Sequence, residues 1–522
     1  MFSHVLQHNP EFKTMNKHIP ERQRSIAHPI LPLAMLLTAG LLAGCSVKPQ
    51  LIGSDEMNGF VTTNAEQLVA NQEPVSGAIG LYEAMARALK YNLDHRVEMM
   101  NVALAARVAD VKSAAMLPQV VAASGYNGRD PSAGGYSRSL TTGVKSADAT
   151  TSLERNTLAA DVTASWNVLD FGLSYVRAKQ ASNEALIAEE RRRKIVNRIV
   201  EDVRTAYWRA VTAEHLLGGL QSLEGRVDHA LSNSRSLARE GALSPLTALT
   251  YQRELVDIRK QIHELELELK TAKIQLAALM NIPPGSAFKL QVPARQQTAL
   301  KLTQSGNQLV ELAMTHRPEL REALLKARIS KQEADAALLQ LLPGIQVFGG
   351  ANWDSNDLLF HSNWLAWGAK ASWNVMRVFS YPAIKKENEA RDDVERTQAL
   401  ALTMAVFTQV HAARARYAQQ SLILKDASDY LAVQQRILSQ VRASAAEDAT
   451  SEQALIREEM NTLVASVKRD IAHADLQNAF ANIYATVGID PYGENVTGGE
   501  NVKTLAAHLR GVWLERGDRS GG

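Results

Sequence analysis

Side chains able to do chemistry are numerous in this sequence and badly spaced for it. There is no His-Glu-x-x-His, no Gly-x-Ser-x-Gly and no phosphate-cradling glycine loop. His215, His229 and His263 fall in helical stretches at unrelated spacings, as solvated or interfacial histidines do, and form no ligand set. Arg191-Arg192-Arg193-Lys194 follows Glu189 and Glu190, which balance it as a solvated helix face rather than a lipid-binding patch. A single thiol, Cys45, excludes a disulfide framework and a thiolate metal site. Over 522 residues the net charge is only +2, which argues against a nucleic-acid partner. The pattern predicts a protein that is not an enzyme, with no cofactor and no metal.

Cys45 matters for its position. Lys13, Lys17, Arg22 and Arg24 precede an apolar run from Ile30 to Leu42, then Ala43, Gly44 and Cys45. A charged start, a short apolar run and small residues at a cut site describe a secretory signal. The run is too short to span a bilayer. Leu42-Ala43-Gly44-Cys45 resembles a bacterial lipobox. The resemblance implies a signal peptide over 1–44, lipidation of Cys45, a lipid-anchored segment over 45–75 and, from Ser46, transfer to the outer membrane. An ordinary signal peptide with an incidental cysteine is the alternative, and Met15 offers a second start. No later segment holds 18 consecutive apolar residues, so any further crossing must use strands.

Two offsets organise the remaining chain. Ser165-Trp166-Asn167-Val168 returns 207 residues later as Ser372-Trp373-Asn374-Val375, and Val203, Arg209 and Ile282 return as Val410, Arg416 and Ile489. An offset of 225 relates Ala88 to Ala313, Asn92 to Arg317 and Pro118 to Pro343. The difference of 18 falls between Pro118 and Ser165, as a longer loop. The chain thus reads as a tandem duplication, 76–290 and 301–492, with a flexible Gly-rich tail over 493–522.

Each copy reads helix, strand, loop, strand, long helix, turn, long helix. Leu158, Ala160, Val162, Ala164, Trp166 and Val168 alternate with Ala159, Asp161, Thr163, Ser165 and Asn167. Trp367, Ala369, Ala371, Trp373 and Val375 alternate with Gly368, Lys370, Ser372 and Asn374. That is period-two patterning with one apolar and one mostly polar face. Elsewhere Val196, Ile199, Val203, Ala206, Ala210, Ala213, Leu217 and Leu220 step by three and four, a coiled-coil seam. The first long helix, about Phe171 to Glu240, is on the order of 100 Å long at ~1.5 Å per residue. It must lie against others like it.

Four strands cannot close a barrel, and lipid does not tolerate an open sheet edge. Several copies must pool their strands; a homotrimer would supply twelve. Asp161, Thr163, Ser165, Asn167, Lys370, Ser372 and Asn374 would then line a water-filled lumen, with Trp166 and Trp373 in an interfacial aromatic girdle.

Leu81-Tyr82-Glu83-Ala84-Met85 with Ala88-Leu89 and Asn92 resembles the opening of the TolC family of outer-membrane factors. So do Met116-Leu117-Pro118, Leu341-Leu342-Pro343, Arg317-Pro318-Glu319-Leu320 and Leu279-Met280-Asn281-Ile282-Pro283-Pro284-Gly285. The likeness covers about 76–492. It implies a mostly α fold with a small membrane β-barrel, four strands per chain in a shared twelve-stranded barrel and a long coiled-coil tunnel in the periplasm of a Gram-negative bacterium. It implies a periplasmic adaptor and an inner-membrane pump as partners, besides outer-membrane lipid. Through it, the turns Glu240, Gly241, Ala242, Leu243, Ser244 and Glu447, Asp448, Ala449, Thr450, Ser451 become candidate docking tips for the adaptor. Read without the likeness, they are plain capped hairpin turns. Two rivals remain: a periplasmic coiled-coil adaptor or scaffold lipoprotein without a pore, and type I protein secretion rather than small-molecule efflux.

Overall fold

Strand and helix meet at Asn167, and both elements follow from their patterning. Two-faced alternation produces strand β2 (Asn156–Asn167), and the three-four spacing produces helix α4 (Val168–Arg239), 72 residues without a break. The structure is a computed structural model that describes residues 49–240, 244–283, 285–292, 302, 304–447, 451–491 and 500–517. The signal segment and Cys45 lie outside the described residues. The chain divides into a first unit ending at Gln67, which holds most of helix α1 (Ser54–Val69), and a body from Leu68 onward.

In the body, α2 (Leu81–Tyr91) and α3 (Leu93–Ala114) lead to β1 (Gln119–Gly128) and β2, then to α4 and α5 (Pro245–Leu279). The order then repeats: α6 (Gly306–His316), α7 (Pro318–Leu339), β3 (Gly344–Asp354), β4 (Asn363–Ser372), α8 (Tyr381–Ala446) and α9 (Glu452–Val487). Leu81 and Gly306, Leu93 and Pro318, and Gln119 and Gly344 each stand 225 apart; Asn156 and Asn363, and Pro245 and Glu452, stand 207 apart.

The strands form one antiparallel sheet in the order β1-β2-β3-β4. Among the described residues no helix is long and apolar enough to cross a membrane. Three apolar clusters hold the helices. The largest joins α2, the middle of α4 and the end of α9; a second fills the α4–α5 hairpin and meets α9; a third joins α6, α8 and α9.

Two expectations change. The tail over 493–522 was expected to be flexible, but its residues 502–515 form helix α10 (Val502–Glu515). Val502, Leu505, Leu509 and Trp513 repeat at helical spacing and all are buried in the largest cluster. Short and flanked by glycines, the segment has a stripe of only four apolar residues, which a composition reading overlooks. The second expectation ran the alternation of β4 through Trp373, Asn374 and Val375, yet β4 stops at Ser372. Its one partner, β3, begins at Gly344 opposite Ser372, so residues beyond have nothing to pair with. Val375–Ser380 then winds as a 3-10 turn before α8. Pro382 accounts for the break: it lacks an N–H, and its ring would clash with the carbonyl four residues back, so an α-helix restarts there. Copy one has Tyr175 at that place, and α4 runs through.

A candidate conduit in the strands and hairpins

The register assigns every strand residue a face. Paired residues of an antiparallel sheet project to the same side. Val162 pairs with Ala122 and with Ala351, and Ala351 with Leu365. Following those rows, one face carries Val120, Leu158, Val162, Val347, Leu365 and Trp367 among its apolar residues and, within the strands, no charge. Asp161 pairs with Asn352, Thr163 with Gly350, Ser165 with Phe348, and Lys370 with Gln346. The expected lumen residues Asp161, Thr163, Ser165, Lys370 and Ser372 therefore share the other face. The Thr163 hydroxyl donates to Asp161 Oδ2 at 3.0 Å. Gly350 is needed opposite: a Cβ there would stand 2.7 Å from Thr163 Oγ1 and 2.8 Å from the Val162 carbonyl oxygen.

Two of the expected lumen residues do something else. Asn167 ends β2, and its Oδ1 accepts the backbone N–H groups of Leu169 at 3.0 Å and Asp170 at 3.4 Å, so it caps α4. Asn374 lies past the end of β4.

The two tryptophans mark equivalent places where sheet meets helix. Trp166 Nε1–H donates to the Met116 carbonyl at 3.2 Å, and Trp373 Nε1–H to the Leu341 carbonyl at 2.9 Å. Each indole satisfies its polar edge within the chain and leaves its rings exposed. Tyr126 and Trp353 lie near the opposite, loop end of the same apolar face, a second aromatic band that alternation alone did not single out. Trp353 pairs with Ala160 and Val347 with Trp166, six residues along the strand. At ~3.4 Å per residue the bands are about 20 Å apart, close to the height of a barrel's lipid-facing zone.

At the far end of the helices, Ser244 accepts the N–H of Thr247 and Ser451 that of Ala454, both at 3.3 Å. Glu240 and Glu447 are the C-cap residues that follow α4 and α8. Gly241, Ala242, Leu243, Asp448, Ala449 and Thr450 lie outside the described residues. Close behind the turns, the two hairpins are clamped together. Glu254 holds Arg457, and Glu459 holds both Arg226 and Arg442. Arg457's hydrogen bond, working against burial, keeps the Glu254 carboxyl below its usual range. Glu458 accepts from Gln434 and from Asn461, the latter at 3.2 Å.

Midway along, a cleft of about 660 Å³ is lined by Asp94, Glu201, Asp202 and Arg209 among others. Burial pushes both the Glu201 and the Asp202 carboxyl up. Among the described residues no group of His, Cys, Asp or Glu is arranged to hold a metal ion. What these parts form is a surface: a two-faced sheet continued by long hairpins.

The model of the outer membrane efflux protein family matches residues 84–281, from α2 to the end of α5. Over those residues the chain is similar to the outer membrane efflux proteins. Three solved outer-membrane proteins share the fold of this chain. The CmeC outer membrane channel of Campylobacter jejuni is 14% identical, with 95% of this chain and 98% of that one covered at a TM-score of 0.62. The MtrE outer membrane channel of Neisseria gonorrhoeae, solved in its open state, is 16% identical, covering 80% and 93% at 0.61. The outer membrane protein VceC of Vibrio cholerae is 12% identical, covering 78% and 96% at 0.58. No curated protein matches the chain. Efflux proteins of this family are transport components and not enzymes.

Proposed function

We propose that this efflux protein is the outer-membrane exit duct of a tripartite system, conducting substrates passively from a periplasmic adaptor and an inner-membrane pump to the exterior. The sheet carries the reading: its four strands have one uncharged apolar face, one polar face and two unpaired outer edges. Such a sheet is stable in lipid only when closed, and three copies give twelve strands, within the range of membrane barrels. The polar face then lines water, the apolar face meets lipid, and the tryptophans sit in the interfacial layer. The pump supplies the energy. The channel needs no reactive group. The turns at Glu240–Ser244 and Glu447–Ser451 are its docking tips for the adaptor, and Cys45 its lipid anchor.

Purified protein in a planar bilayer should pass ions in stepwise openings, run as a heat-modifiable trimer and give a β contribution in its spectrum. A protein that stays monomeric and never conducts would end the pore reading and leave the scaffold alternative. In cells, loss of the protein should sensitise the host to toxic small molecules while leaving its set of secreted proteins unchanged. Labelled palmitate should enter the wild-type chain and not Cys45→Ala.

A further inference from the structure

Most aromatic side chains of the sheet have an evident place. Trp166 and Trp373 recur in both copies and donate their N–H groups within the chain. Tyr126, Trp353 and Trp367 lie on the apolar face. Phe348 lies on the polar face but lies close to Gly368, its cross-strand partner, where a Cβ would stand 2.9 Å from Phe348 Cζ. Trp364 has no such place. It pairs with Asn352, and Asn352 with Asp161, so the indole stands on the polar face. It is 45% exposed, and among the described residues nothing accepts its N–H and no ring packs on it. An indole on a wall that meets water forgoes burial. The strand does not demand it: 207 places earlier stands Thr157, and β2 forms with no ring there.

Its surroundings are particular. Ala123, Asp161, Asn352 and Trp364 make one rung across all four strands. At ~4.8 Å between strands, Asp161 and Trp364 are about 10 Å apart, with the Asn352 carboxamide between them. The carboxylate is held in place by the Thr163 hydroxyl, which donates to Oδ2 at 3.0 Å. The adjoining rungs bring Gly125 beside Ala159 and Gly350 beside Ala366, so much of the floor rises no higher than a methyl group. The result is a shallow recess with an aromatic face at one end and an acid at the other.

Charge on this face is also segregated. The strands carry Asp161 and Asp354 toward the loops and Lys370 toward the helices. Asp354 Oδ1 accepts the N–H of Asn356 at 2.9 Å and so belongs to the turn, which leaves Asp161 for the recess. Lys370 is six residues from Trp364 along β4, about 20 Å at ~3.4 Å per residue. In the duct proposed above, the acidic, indole-bearing end is the exit.

We propose that Trp364 and Asp161 form a weak contact at that exit for organic cations with a flat apolar body. The inference rests on the duct reading and names the class of cargo its last stretch favours. The face of an indole carries negative charge density, so the body stacks there while its positive charge turns toward Asp161. An anion of the same shape keeps the stacking and meets a like charge. A contact on a conducting path has to be loose enough to release what it holds. A solvent-exposed cation–π contact suits that, being worth a factor of about two to five in affinity.

Block of ion current tests the contact. N-methylquinolinium, an aromatic monocation, added to both sides of a planar bilayer should reduce the wild-type current. Trp364→Ala should raise the half-blocking concentration about two- to five-fold, and Trp364→Phe, which keeps a ring, by less. Asp161→Asn should raise it as well and flatten its dependence on salt, because salt screens the charge that has been removed. Naphthalene-2-sulfonate, with a similar body and the opposite sign, should block Asp161→Asn better than wild type. Trp367→Ala, on the apolar face, should leave every block unchanged. Should Trp364→Ala not insert, Trp364→Leu, apolar but ringless, decides the same question, and Asp161→Asn decides it independently. A conducting protein that quinolinium does not block, or blocks equally in the 364 and 161 variants, overturns the contact and leaves the duct standing. A sulfonate weakened by Asp161→Asn overturns the role of charge and the contact with it. A wild-type protein that never conducts overturns the duct and this inference together.

Discussion

The belt around the middle of the protein and the sheet at its end are built on opposite terms. In the belt, α10 closes over α2 and α4 with Trp513 only 1% exposed. The Arg204 guanidinium lies 4.4 Å from the Trp513 ring centre and that of Arg516 5.1 Å. Burial, with Arg204's like charge adding to it, brings Arg516 down to about 10. Glu73 accepts the first N–H of α10 at 3.0 Å and Lys90's ammonium at 2.6 Å, so the start and the end of the body are tied together. In the sheet, by contrast, both faces are open and both edges unpaired. The belt is a core that one chain completes; the sheet, in the duct proposed above, is one third of a barrel that lipid and further copies complete. Stability in the first is a matter of packing, and in the second of what lies outside the chain.

Removing the belt's anchor should have the largest effect. Trp513→Ala leaves a cavity beside two guanidiniums and should cost ~3–5 kcal/mol, read as a fall in the thermal midpoint of the helical signal. The sheet should respond to charge instead. Val162→Arg on the apolar face should cost ~2–4 kcal/mol per copy in lipid, read as loss of assembled trimer from the outer membrane. Thr163→Arg, one residue on but facing the lumen, should assemble normally and alter conductance. Equal effects at 162 and 163 would break the assignment of faces.

That contrast also explains what was legible in the sequence. The strands, the long helices and the two copies were readable because period, offset and caps are local and repeat. Ser244 and Ser451 cap their helices as their positions before α5 and α9 suggest. Helix α10 was missed because its stripe is short and gains its meaning from Trp208, Tyr484 and Arg204, far away in sequence. Asn167 was assigned to the lumen by alternation, but the helix that starts at Val168 needs its oxygen, and an N-cap outweighs a place in the row. Asn374 lies past the end of β4 for a different reason: β3, the partner of β4 in this chain, begins opposite Ser372. Of the two hairpin turns, the described residues include only the caps, Glu240 with Ser244 and Glu447 with Ser451.

A smaller effect compares the copies directly. Gly488 ends α9 at φ +81, and a Cβ there would stand 2.7 Å from Arg317 Cα and 2.9 Å from the His316 carbonyl oxygen. Asn281, its counterpart 207 residues earlier, is left-handed too, at φ +56, but keeps a side chain. Gly488→Ala should therefore destabilise by more than the ~1–2 kcal/mol of left-handed strain alone, whereas Asn281→Ala should cost about 1 kcal/mol. Equal losses in thermal midpoint would mean that α6 and α7 do not press on that turn. Asn167→Ala, which removes one cap, should cost ~1 kcal/mol and fray the top of α4, seen as faster amide exchange there.

The smallest expected effect is a pH dependence, and it tests the ionic joint between α4 and α7, where Arg191 meets Glu322 at 3.0 Å and Lys194 meets Glu319 at 3.4 Å. Burial raises the Glu319 and Glu322 carboxyls, but Arg317 with Lys194 at the first, and Lys326 with Arg191 at the second, outweigh it and hold both below the usual carboxylate range. A carboxyl depressed in the folded state adds stability that is fully present above its unfolded value, about 4.3, and is lost as pH falls through the folded value. The thermal midpoint should thus be flat above about pH 5 and fall toward pH 3, with part of that fall absent in a Glu319→Gln, Glu322→Gln variant. Carboxylates elsewhere contribute to any acid transition, so the difference between the two proteins is the quantity to measure. If the two proteins lost thermal midpoint alike toward pH 3, the ion pairs of Glu319 and Glu322 would not hold α7 to α4.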